Sequence, residues 1–323
     1  MALLLGAAVL PIGCGLSQRR KDQALVDAIK TGSPERLHQA LLSGANPRQR
    51  FGPKRETPLL LAIASEDGRK AEIPAFRSIV EDLIASGADP SVQNDEGWDA
   101  LGMAASARDA VLCDRFCRMG LSPVEIEGKG VSPLHVAALN DDVASLESMI
   151  PWLKNRQIDT ATASGLRDTP LYLASFNGLE GAATCLLRAG ADPNLVNSAG
   201  FTPLMAACLQ GKPRIASLLL EHGAEVDRPY RNGATALSFA CLDGRLDVAQ
   251  LLLAHGADPN HQNKGGVTPM MDAAMKGHLE VIEVLKKAGA NPALKSGKGR
   301  TAADYEREWR ASRSSSTGES IGR

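Results

Sequence analysis

The side chains in this sequence that could bind a metal or act as nucleophiles are chiefly its six cysteines. Cys113 and Cys117 are one helical turn apart, and two thiolates at that spacing can share a metal ion. No histidine or carboxylate cluster completes such a site, so the spacing favours two buried apolar thiols. The other cysteines are Cys14, Cys185, Cys208 and Cys241. We therefore predict no metal site.

Hydrolytic chemistry would need a nucleophile, a base and an orienting group that converge in space. The six histidines are His38, His135, His222, His255, His261 and His278, and several of them recur with the repeat described next. Gly297-Lys298-Gly299 lacks the pattern of a phosphate-binding loop. The sequence therefore predicts a protein that is not an enzyme and holds no cofactor.

A 33-residue period governs how these residues are positioned. Threonines recur at that interval, and glycines follow 21 residues behind the first four of them: Thr169, Thr202, Thr235, Thr268 and Thr301, then Gly190, Gly223, Gly256 and Gly289. A fixed period of this length predicts a stack of repeats.

Upstream, the period continues with two insertions. Asp99 and Ser132 are again 33 residues apart, but Thr57 to Asp99 is 42 and Ser132 to Thr169 is 37. The glycine series places the longer insert within Glu66 to Ser78. The shorter one falls in the repeat that contains Pro151-Trp152.

The residue pattern of each repeat predicts a helix, a tight turn, a second helix and a loop. Thr169-Pro170-Leu171 opens one of them with a hydroxyl that can cap a helix and a proline suited to its first turn. Gly178 ends the short first helix, a leucine-rich second helix follows, and Gly190 ends that helix. This pattern resembles the ankyrin repeat, most clearly over residues 265–291, GGVTPMMDAAMKGHLEVIEVLKKAGAN.

The resemblance covers residues 22–310. It implies an all-α ankyrin solenoid of helix-turn-helix units with protruding β-hairpin loops. We expect nine repeats: one near residues 22–47, seven that open at Thr57, Asp99, Ser132, Thr169, Thr202, Thr235 and Thr268, and a partial one at Thr301. Asp99 is the weakest opener. Residues 311–323 have the Ser-rich composition of a disordered tail.

Composition agrees with one continuous helical array. The chain is 44% hydrophobic but only 4% aromatic, which suits helices built from leucine and alanine. A net charge of −1 gives no overall reason to expect nucleic acid. We expect a monomer with a protein partner.

The N-terminus carries a separate signal. Residues 1–13, MALLLGAAVLPIG, form an uncharged apolar run that is too short to span a bilayer. The run ends at Gly13-Cys14, and small residues before a cysteine resemble the lipobox of bacterial lipoproteins. That resemblance implies a signal over residues 1–14, cleaved before Cys14, with palmitate or a related lipid on the cysteine. Pro11 and Ile12 depart from it, and no Lys or Arg precedes the run.

Three interpretations of this segment stay open. They are export with lipidation, a plain signal or uncleaved anchor, and an apolar N-terminus on a cytoplasmic protein. Lipidation would place the chain in the bacterial envelope, on the periplasmic side of a membrane. Gly15 lacks the aspartate that retains many lipoproteins in the inner membrane, so the outer membrane is favoured.

The resemblance to ankyrin arrays places partner binding on their concave face, at loop tips and at the ends of first helices. Position seven after the opening residue is apolar in five successive repeats, and the position before the opener is mostly apolar. Polar residues follow at position eight. Our predicted partner-binding residues are Trp98, Leu139, Phe176, Asn177, Phe201, Leu209, Gln210, Leu242, Asp243, Met275 and Lys276. The alternative is that these apolar side chains fill gaps between adjacent first helices.

A second candidate surface is the first loop, residues 48–55, with four basic side chains that could meet an acidic partner, lipid headgroups or only solvent. We expect a protein-binding envelope lipoprotein that sequesters or stabilises a partner, with immunity to a secreted effector as the most specific version. The alternative is a cytoplasmic scaffold or regulator, or a host-directed effector.

Overall fold

The computed structural model describes residues 12–64, 73–125, 130–163 and 165–317. These form two compact regions, residues 12–136 with 147–152 and residues 137–146 with 153–317. Most of the predicted signal, residues 1–11, and most of the predicted insert, residues 65–72, lie outside the described residues. The backbone at Cys14 lies in the first helix, and its side chain lies outside the description.

The regular secondary structure of the described residues consists of helices. The first helices are α1 (Ile12–Thr31), α3 (Pro58–Ala64), α5 (Ala100–Ala107), α7 (Pro133–Leu139), α9 (Pro170–Asn177), α11 (Pro203–Leu209), α13 (Ala236–Leu242), α15 (Pro269–Lys276) and α17 (Ala302–Thr317). The second helices are α2 (Pro34–Leu42), α4 (Ile73–Ala85), α6 (Ala110–Arg118), α8 (Val143–Met149), α10 (Glu180–Arg188), α12 (Pro213–Glu221), α14 (Leu246–Ala254) and α16 (Leu279–Lys287). The shorter predicted insert coincides with two short 3-10 helices, Ile150–Trp152 and Asn155–Asp159.

Several opening residues cap their helices as the sequence predicts. The hydroxyls of Thr169 and Thr202 each accept a hydrogen bond from the backbone N–H three residues on, at 3.2 Å. Asp99 performs the same task, because its carboxylate accepts from the N–H groups of Leu101 and Gly102 at 2.8 and 3.0 Å. The replacement of threonine by aspartate therefore leaves the cap intact.

Like helices stack on like helices within each compact region. In the second region α9, α11, α13, α15 and α17 pack in succession, and α10, α12, α14 and α16 form a parallel layer. Leucine and alanine fill the interface between the layers, with Leu204, Leu237 and Leu252 almost fully buried. The first helices of consecutive repeats therefore present equivalent positions side by side.

The loops between repeats are tight turns, and this corrects the prediction of β-hairpins. Among the described residues the only strand-like pairing is an isolated bridge between Phe51 and Glu56. A loop such as the one before α11 instead closes with two backbone hydrogen bonds, from Asn197 N to Phe201 O at 3.0 Å and from Gly200 N to Asn197 O at 2.9 Å. Successive loops are joined by bonds such as Ser198 N to Leu166 O at 2.7 Å. Side-chain caps within the loops satisfy the backbone groups that a strand ladder would otherwise pair.

The last helix continues into the segment predicted to be a disordered tail. α17 runs to Thr317, and Arg310 pairs with Glu306 one turn earlier, at 2.6 Å from Nη2 to Oε1. The guanidinium of Arg313 lies 5.4 Å from the centre of the Trp309 ring. These contacts along one helix stabilise a further turn. Residues 318–323 lie outside the described residues.

Candidate protein-binding face

Five aromatic side chains gather on the first helices and preceding loops of repeats 5 to 7. The chain has only 12 Phe, Tyr and Trp residues in all, so this concentration is high. Their ring contacts join positions that are far apart in sequence. We call the group the aromatic patch: Tyr172, Phe176, Phe201, Tyr230 and Phe239.

Phe201 is the centre of the aromatic patch. Its ring centre lies 4.6 Å from that of Tyr230 and 5.3 Å from that of Phe239. Tyr172 and Phe176 stack one helical turn apart on α9, with ring centres 6.3 Å apart. Contacts of this kind contribute about 1 kcal/mol each beyond burial, so they hold the rings in fixed positions before any partner arrives.

The ring of Tyr172 is tied to the rest of the patch through the loop before α11. Its hydroxyl hydrogen-bonds Asn197, whose carbonyl oxygen accepts from the backbone N–H of Phe201 at 3.0 Å. Burial, together with the negative charge of Asp168, raises the pKa of Tyr172. The hydroxyl therefore stays neutral and available for hydrogen bonding.

The predicted apolar column at position seven is accessible along its length. Leu139 and Phe176 are 41% and 40% exposed, and Leu209, Leu242 and Met275 are half-buried. Because α9, α11, α13 and α15 pack in succession, the last four of these residues occupy the same place on neighbouring helices. None is fully buried as a gap-filling core residue would be, although their role in binding stays a prediction.

The column before the opening residue divides into two kinds of position. Phe201 is half-buried and belongs to the aromatic patch, whereas Asp168 and Ala234 are buried. The carboxylate of Asp168 accepts a hydrogen bond from Asn197 at 2.8 Å. Trp98, in the first compact region, is half-buried in a turn closed by the bond from Asn94 N to its carbonyl at 3.0 Å.

Polar side chains border the apolar column, as the sequence predicts from position eight. Asn177, Asp243 and Lys276 are exposed and Gln210 is half-buried. Asn177 already donates to the carbonyl of Leu173 at 2.8 Å, so it is held close to the helix. The border therefore contains one anion and one cation, and no single charge dominates it.

Sequence reasoning missed three members of the aromatic patch. Tyr172, Tyr230 and Phe239 stand at three different offsets from their opening threonines. A column at one offset contains one residue from each repeat, so it does not reveal a cluster whose members stand at several offsets. The scarcity of aromatic residues elsewhere was the available signal.

The basic loop at residues 48–55 is largely engaged with the next loops. Arg48 donates from Nε to the carbonyl of Gly87 at 2.8 Å. Arg50 lies 3.8 Å from a carboxylate oxygen of Asp95, and the ammonium of Lys54 lies 3.1 Å from a carboxylate oxygen of Glu96. These contacts use most of the loop's basic side chains to connect neighbouring repeats.

Four cysteines, Cys113, Cys117, Cys208 and Cys241, lie in the apolar core, and Cys185 is half-buried. Cys113 and Cys117 are buried, and burial, together with the charges of Asp114 and Asp99, raises the pKa of Cys117 to about 12. Burial also raises the pKa of Cys208 and Cys241. A metal ligand or nucleophile must be a thiolate, and these groups resist ionisation. Across the described residues no group of His, Cys, Asp and Glu could hold a metal ion.

The repeats of this chain are ankyrin repeats, the kind of repeat that protein-binding repeat proteins carry. The family model described as ankyrin repeats (3 copies) matches residues 143–230, 171–263 and 227–296. The chain is an all-α ankyrin-repeat solenoid, a fold that typically serves as a non-enzymatic interaction scaffold. No helix in the described part of the chain is long and apolar enough to cross a membrane.

Known proteins match the same kind of repeat. The chain is 30% identical over 156 residues to Neurogenic locus notch homolog protein 1 of Danio rerio, and 30% identical over 155 residues to the protein of that name from Xenopus tropicalis. The human protein of that name is 29% identical over 154 residues. Each match covers 46% of this chain but only 6% of the relative, so the chain corresponds to a small part of those proteins.

Proposed function

We propose that this protein captures a protein partner on the first helices and preceding loops of repeats 5 to 8. The aromatic patch is the observation that carries this proposal. Aromatic side chains are favoured at the centres of protein interfaces, where they bury large areas with little loss of conformational freedom. The patch is preassembled by its own ring contacts, so little ordering has to accompany binding.

The surroundings of the patch support a specific interface. Phe176 is the exposed member of the patch, and the apolar column continues from it through Leu209 and Leu242 with a polar border. An apolar centre with a polar rim is the usual composition of a protein–protein interface. A partner that offers an apolar helix or loop with both donors and acceptors around it would fit this surface.

We further propose that the chain is an envelope lipoprotein anchored through Cys14, which holds its partner at the membrane on the periplasmic side. The uncharged run over residues 1–13 and the small residues before Cys14 support this. Immunity to a secreted effector is the most specific form of the proposal, since sequestration alone would neutralise a toxic protein. Gly15 favours the outer membrane.

Metabolic labelling with palmitate tests the anchor. We expect labelling of the wild-type protein and its loss in Cys14→Ser, with the protein in the membrane fraction. An unlabelled protein in the cytoplasm would refute the anchor and favour a cytoplasmic scaffold, regulator or host-directed effector.

Affinity capture with the purified chain tests the binding face. Phe176→Asp combined with Leu209→Asp places two charges in the apolar column, and burying an unpaired charge at an interface is costly. We expect the partner retained by the wild type to be lost, while the melting temperature changes by less than about 3 °C.

A matched control uses apolar residues on second helices. Leu279 on α16 is 41% exposed and Val111 on α6 is 56% exposed, so Leu279→Asp with Val111→Asp adds the same charge at one position that matches Phe176 and one that is more exposed than Leu209. This variant should retain the partner. A large loss of stability in the Phe176 and Leu209 variant would show instead that the column is packing, and equal loss of capture in both variants would remove the case for this face.

A further inference from the structure

Positive charge is concentrated in the loops that precede α13, α15 and α17. The seven residues before the opening threonine of each of these repeats include six Lys or Arg in all and no Asp or Glu. Two of these cations are paired, since Arg228 lies 3.1 Å from a carboxylate oxygen of Glu225 and Arg300 lies 2.8 Å from one of Glu308. Three of the others, one from each loop, form the group that we call the basic ridge: Arg231, Lys264 and Lys298.

Backbone hydrogen bonds between the loops bring the basic ridge together. The N–H of Lys264 donates to the carbonyl of the residue after Arg231 at 2.8 Å. The residue before Lys298 donates its N–H to the carbonyl of the residue after Lys264 at 2.7 Å. The ridge residues therefore lie on directly bonded loops, at the bonded position or next to it, and all three side chains are exposed.

The basic ridge begins at the edge of the aromatic patch. Arg231 directly follows Tyr230, and the ring centre of Tyr230 lies 4.6 Å from that of Phe201. The Arg231 side chain also lies over Gly200, the residue before Phe201, because a Cβ built on Gly200 would be 2.9 Å from Cγ of Arg231. A partner seated on the aromatic patch therefore meets the first cation of the ridge directly.

The carboxylates of the three loops leave most of this charge uncompensated. Over their full length the loops contain six Lys or Arg and three Asp or Glu, a net charge of +3. Asp227 accepts from the backbone N–H of Asp258 at 3.1 Å, and Asp258 accepts from that of Asn260 at 2.8 Å, so both aspartates are engaged where their loops begin. Among the carboxylates that the structure describes, none forms an ion pair with a residue of the basic ridge.

The first two loops of the array balance their charges instead. Arg50 in the first loop lies 3.8 Å from a carboxylate oxygen of Asp95 in the second. Lys54 lies 3.1 Å from a carboxylate oxygen of Glu96. Asp95 stands four residues before its opening residue, which is also the position of the first two ridge residues. The basic ridge thus places like charges where the first loops alternate them, and like charges repel until an anionic group lies across them.

The rings beside the ridge favour an acidic protein segment over nucleic acid. Single-stranded nucleic acid stacks its bases on open aromatic faces. The rings of the aromatic patch contact one another and four of the five are half-buried, so only Phe176 is exposed. Proteins that bind duplex DNA commonly make about six to ten phosphate contacts, more than this ridge supplies. A protein segment needs only a few carboxylates, and its apolar side chains can cover the patch.

We infer that the partner presents an acidic segment, whose carboxylates pair with the basic ridge while its apolar side chains contact the aromatic patch. This inference rests on the proposed capture of a protein by repeats 5 to 8 and adds the charge of that protein. Neighbouring helices pack roughly 10 Å apart and an extended chain rises about 3.3 Å per residue, so a segment of about ten residues spans the ridge and reaches the patch.

Fluorescence anisotropy with the purified full chain and two labelled peptides tests the inference. The acidic probe has a leucine pair followed by about six glutamates, and the neutral probe has glutamine in place of each glutamate. We expect the acidic probe to bind roughly tenfold more tightly at about 0.05 M salt, and we expect this preference to fall as salt rises to about 0.3 M.

Charge reversal of the basic ridge, Arg231→Glu with Lys264→Glu and Lys298→Glu, should remove the preference for the acidic probe. Arg231→Lys, which keeps the charge, should keep the preference. Replacement of all three ridge residues by glutamine should also lower it. We expect the glutamine variant to melt within about 3 °C of the wild type, because the changed side chains are exposed and form no ion pair, so a folding defect would not explain the loss.

A matched control reverses three exposed cations away from the basic ridge, Lys154→Glu with Arg188→Glu and Lys287→Glu, and should keep the preference. Equal loss in this control would show that only the overall charge matters and would overturn the inference. Failure of the wild type to bind the acidic probe at up to about 1 mM would also overturn it. So would tighter binding of an RNA oligonucleotide of the same length, which would identify nucleic acid as the preferred polyanion.

The two proposals fail separately. Retention of the captured partner by the Phe176→Asp and Leu209→Asp variant would refute capture at the apolar column without changing the preference for the acidic probe. A preference that survives reversal of the basic ridge would refute the acidic segment and leave the capture intact.

Discussion

Repeats 5 to 8 and repeats 3 and 4 end their first helices in the same backbone conformation but with different residues. In the regular repeats the left-handed position is glycine, as at Gly244 with φ +69°. In repeats 3 and 4 the equivalent residues are Arg108 and Asp141, with φ +60° and +52°. The turn itself therefore does not require glycine, even though other residues pay a conformational cost there.

What does require glycine is the close approach of the next repeat. A Cβ on Gly244 would lie 2.5 Å from Nδ1 of His278, which packs over the turn and hydrogen-bonds the carbonyl of Leu242 through Nε2. Lys212 and Arg245 pack over Gly178 and Gly211 in the same way. A cation near the C-terminus of a helix is favourable. The glycines after first helices thus mark contacts between repeats, whereas those after second helices, Gly190, Gly223, Gly256 and Gly289, have no neighbouring atom within 4 Å of a built Cβ.

In repeat 4 the contact between the turn and the next repeat is made by a side chain. Asp141 Oδ1 accepts a hydrogen bond at 2.6 Å from the backbone N–H of Ala182 on α10 in the next repeat. An aspartate in the left-handed conformation can therefore replace the glycine and its covering cation, because it caps the neighbouring second helix directly.

Repeats 3 and 8 also differ in how their buried carboxyl groups are stabilised, and this difference has the largest expected effect on stability. Asp99 in repeat 3 accepts two backbone hydrogen bonds, whereas burial raises the pKa of Asp272 in repeat 8 to about 7. The unfolded carboxyl titrates near its ordinary value of about 4, so the folded state disfavours the charged form. Stability from the neutral carboxyl is complete below about pH 4 and is lost as the pH rises to about 7.

We therefore expect Asp272→Asn to be more stable relative to wild type at pH 8 than at pH 4, by roughly 4 kcal/mol. Urea unfolding of both proteins across this range measures the difference. Asp243→Asn, on the exposed surface of the neighbouring repeat, supplies the baseline for an Asp to Asn change. A difference that does not depend on pH would show that Asp272 is ionised in the fold at little cost.

A pair of glycines in repeat 7 tests the role of close contact. Gly244→Ala should cost about 3 kcal/mol, from a strained conformation together with overlap with His278. Gly256→Ala changes a residue with φ +85° and no neighbouring atom within 4 Å, so only conformational strain remains, at about 1 kcal/mol. Equal losses in denaturant unfolding would contradict the account of the glycine period.

A glycine substitution in repeat 3 has the smallest expected effect on stability, and it is a gain instead of a loss. Arg108 is exposed and left-handed, so Arg108→Gly should relieve strain and stabilise by about 0.5 kcal/mol after the extra freedom of glycine in the unfolded chain is counted. Thermal and urea unfolding would detect the gain. A loss would mean that the Arg108 side chain makes a stabilising contact.

The fold was predictable because its determinants are local. Threonine or aspartate caps, prolines in the first turn and glycines after second helices each act within a few residues, so the period reveals the repeat from sequence. The lack of strands in the described ranges was not predictable from the same pattern, since it depends on side chains such as Asn197, whose amide oxygen accepts from the backbone N–H groups of Ala199 and Phe201.

The candidate site was predictable only in part. Phe176 and Leu209 follow from their fixed position in the repeat. The contacts among Phe201, Tyr230 and Phe239 depend on how one repeat's loop lies against the next repeat's helix, which spacing does not show. The pairing of Lys54 with Glu96 likewise joins residues from different loops.

Site-specific photo-crosslinking in cells tests the central claim, that the first helices carry the partner. Phe176 and Leu279 are 40% and 41% exposed, so a photoreactive side chain at either position is equally accessible. We expect a discrete adduct with one protein from position 176 and none with that protein from position 279. An adduct with the same protein from position 279, and none from position 176, would contradict it.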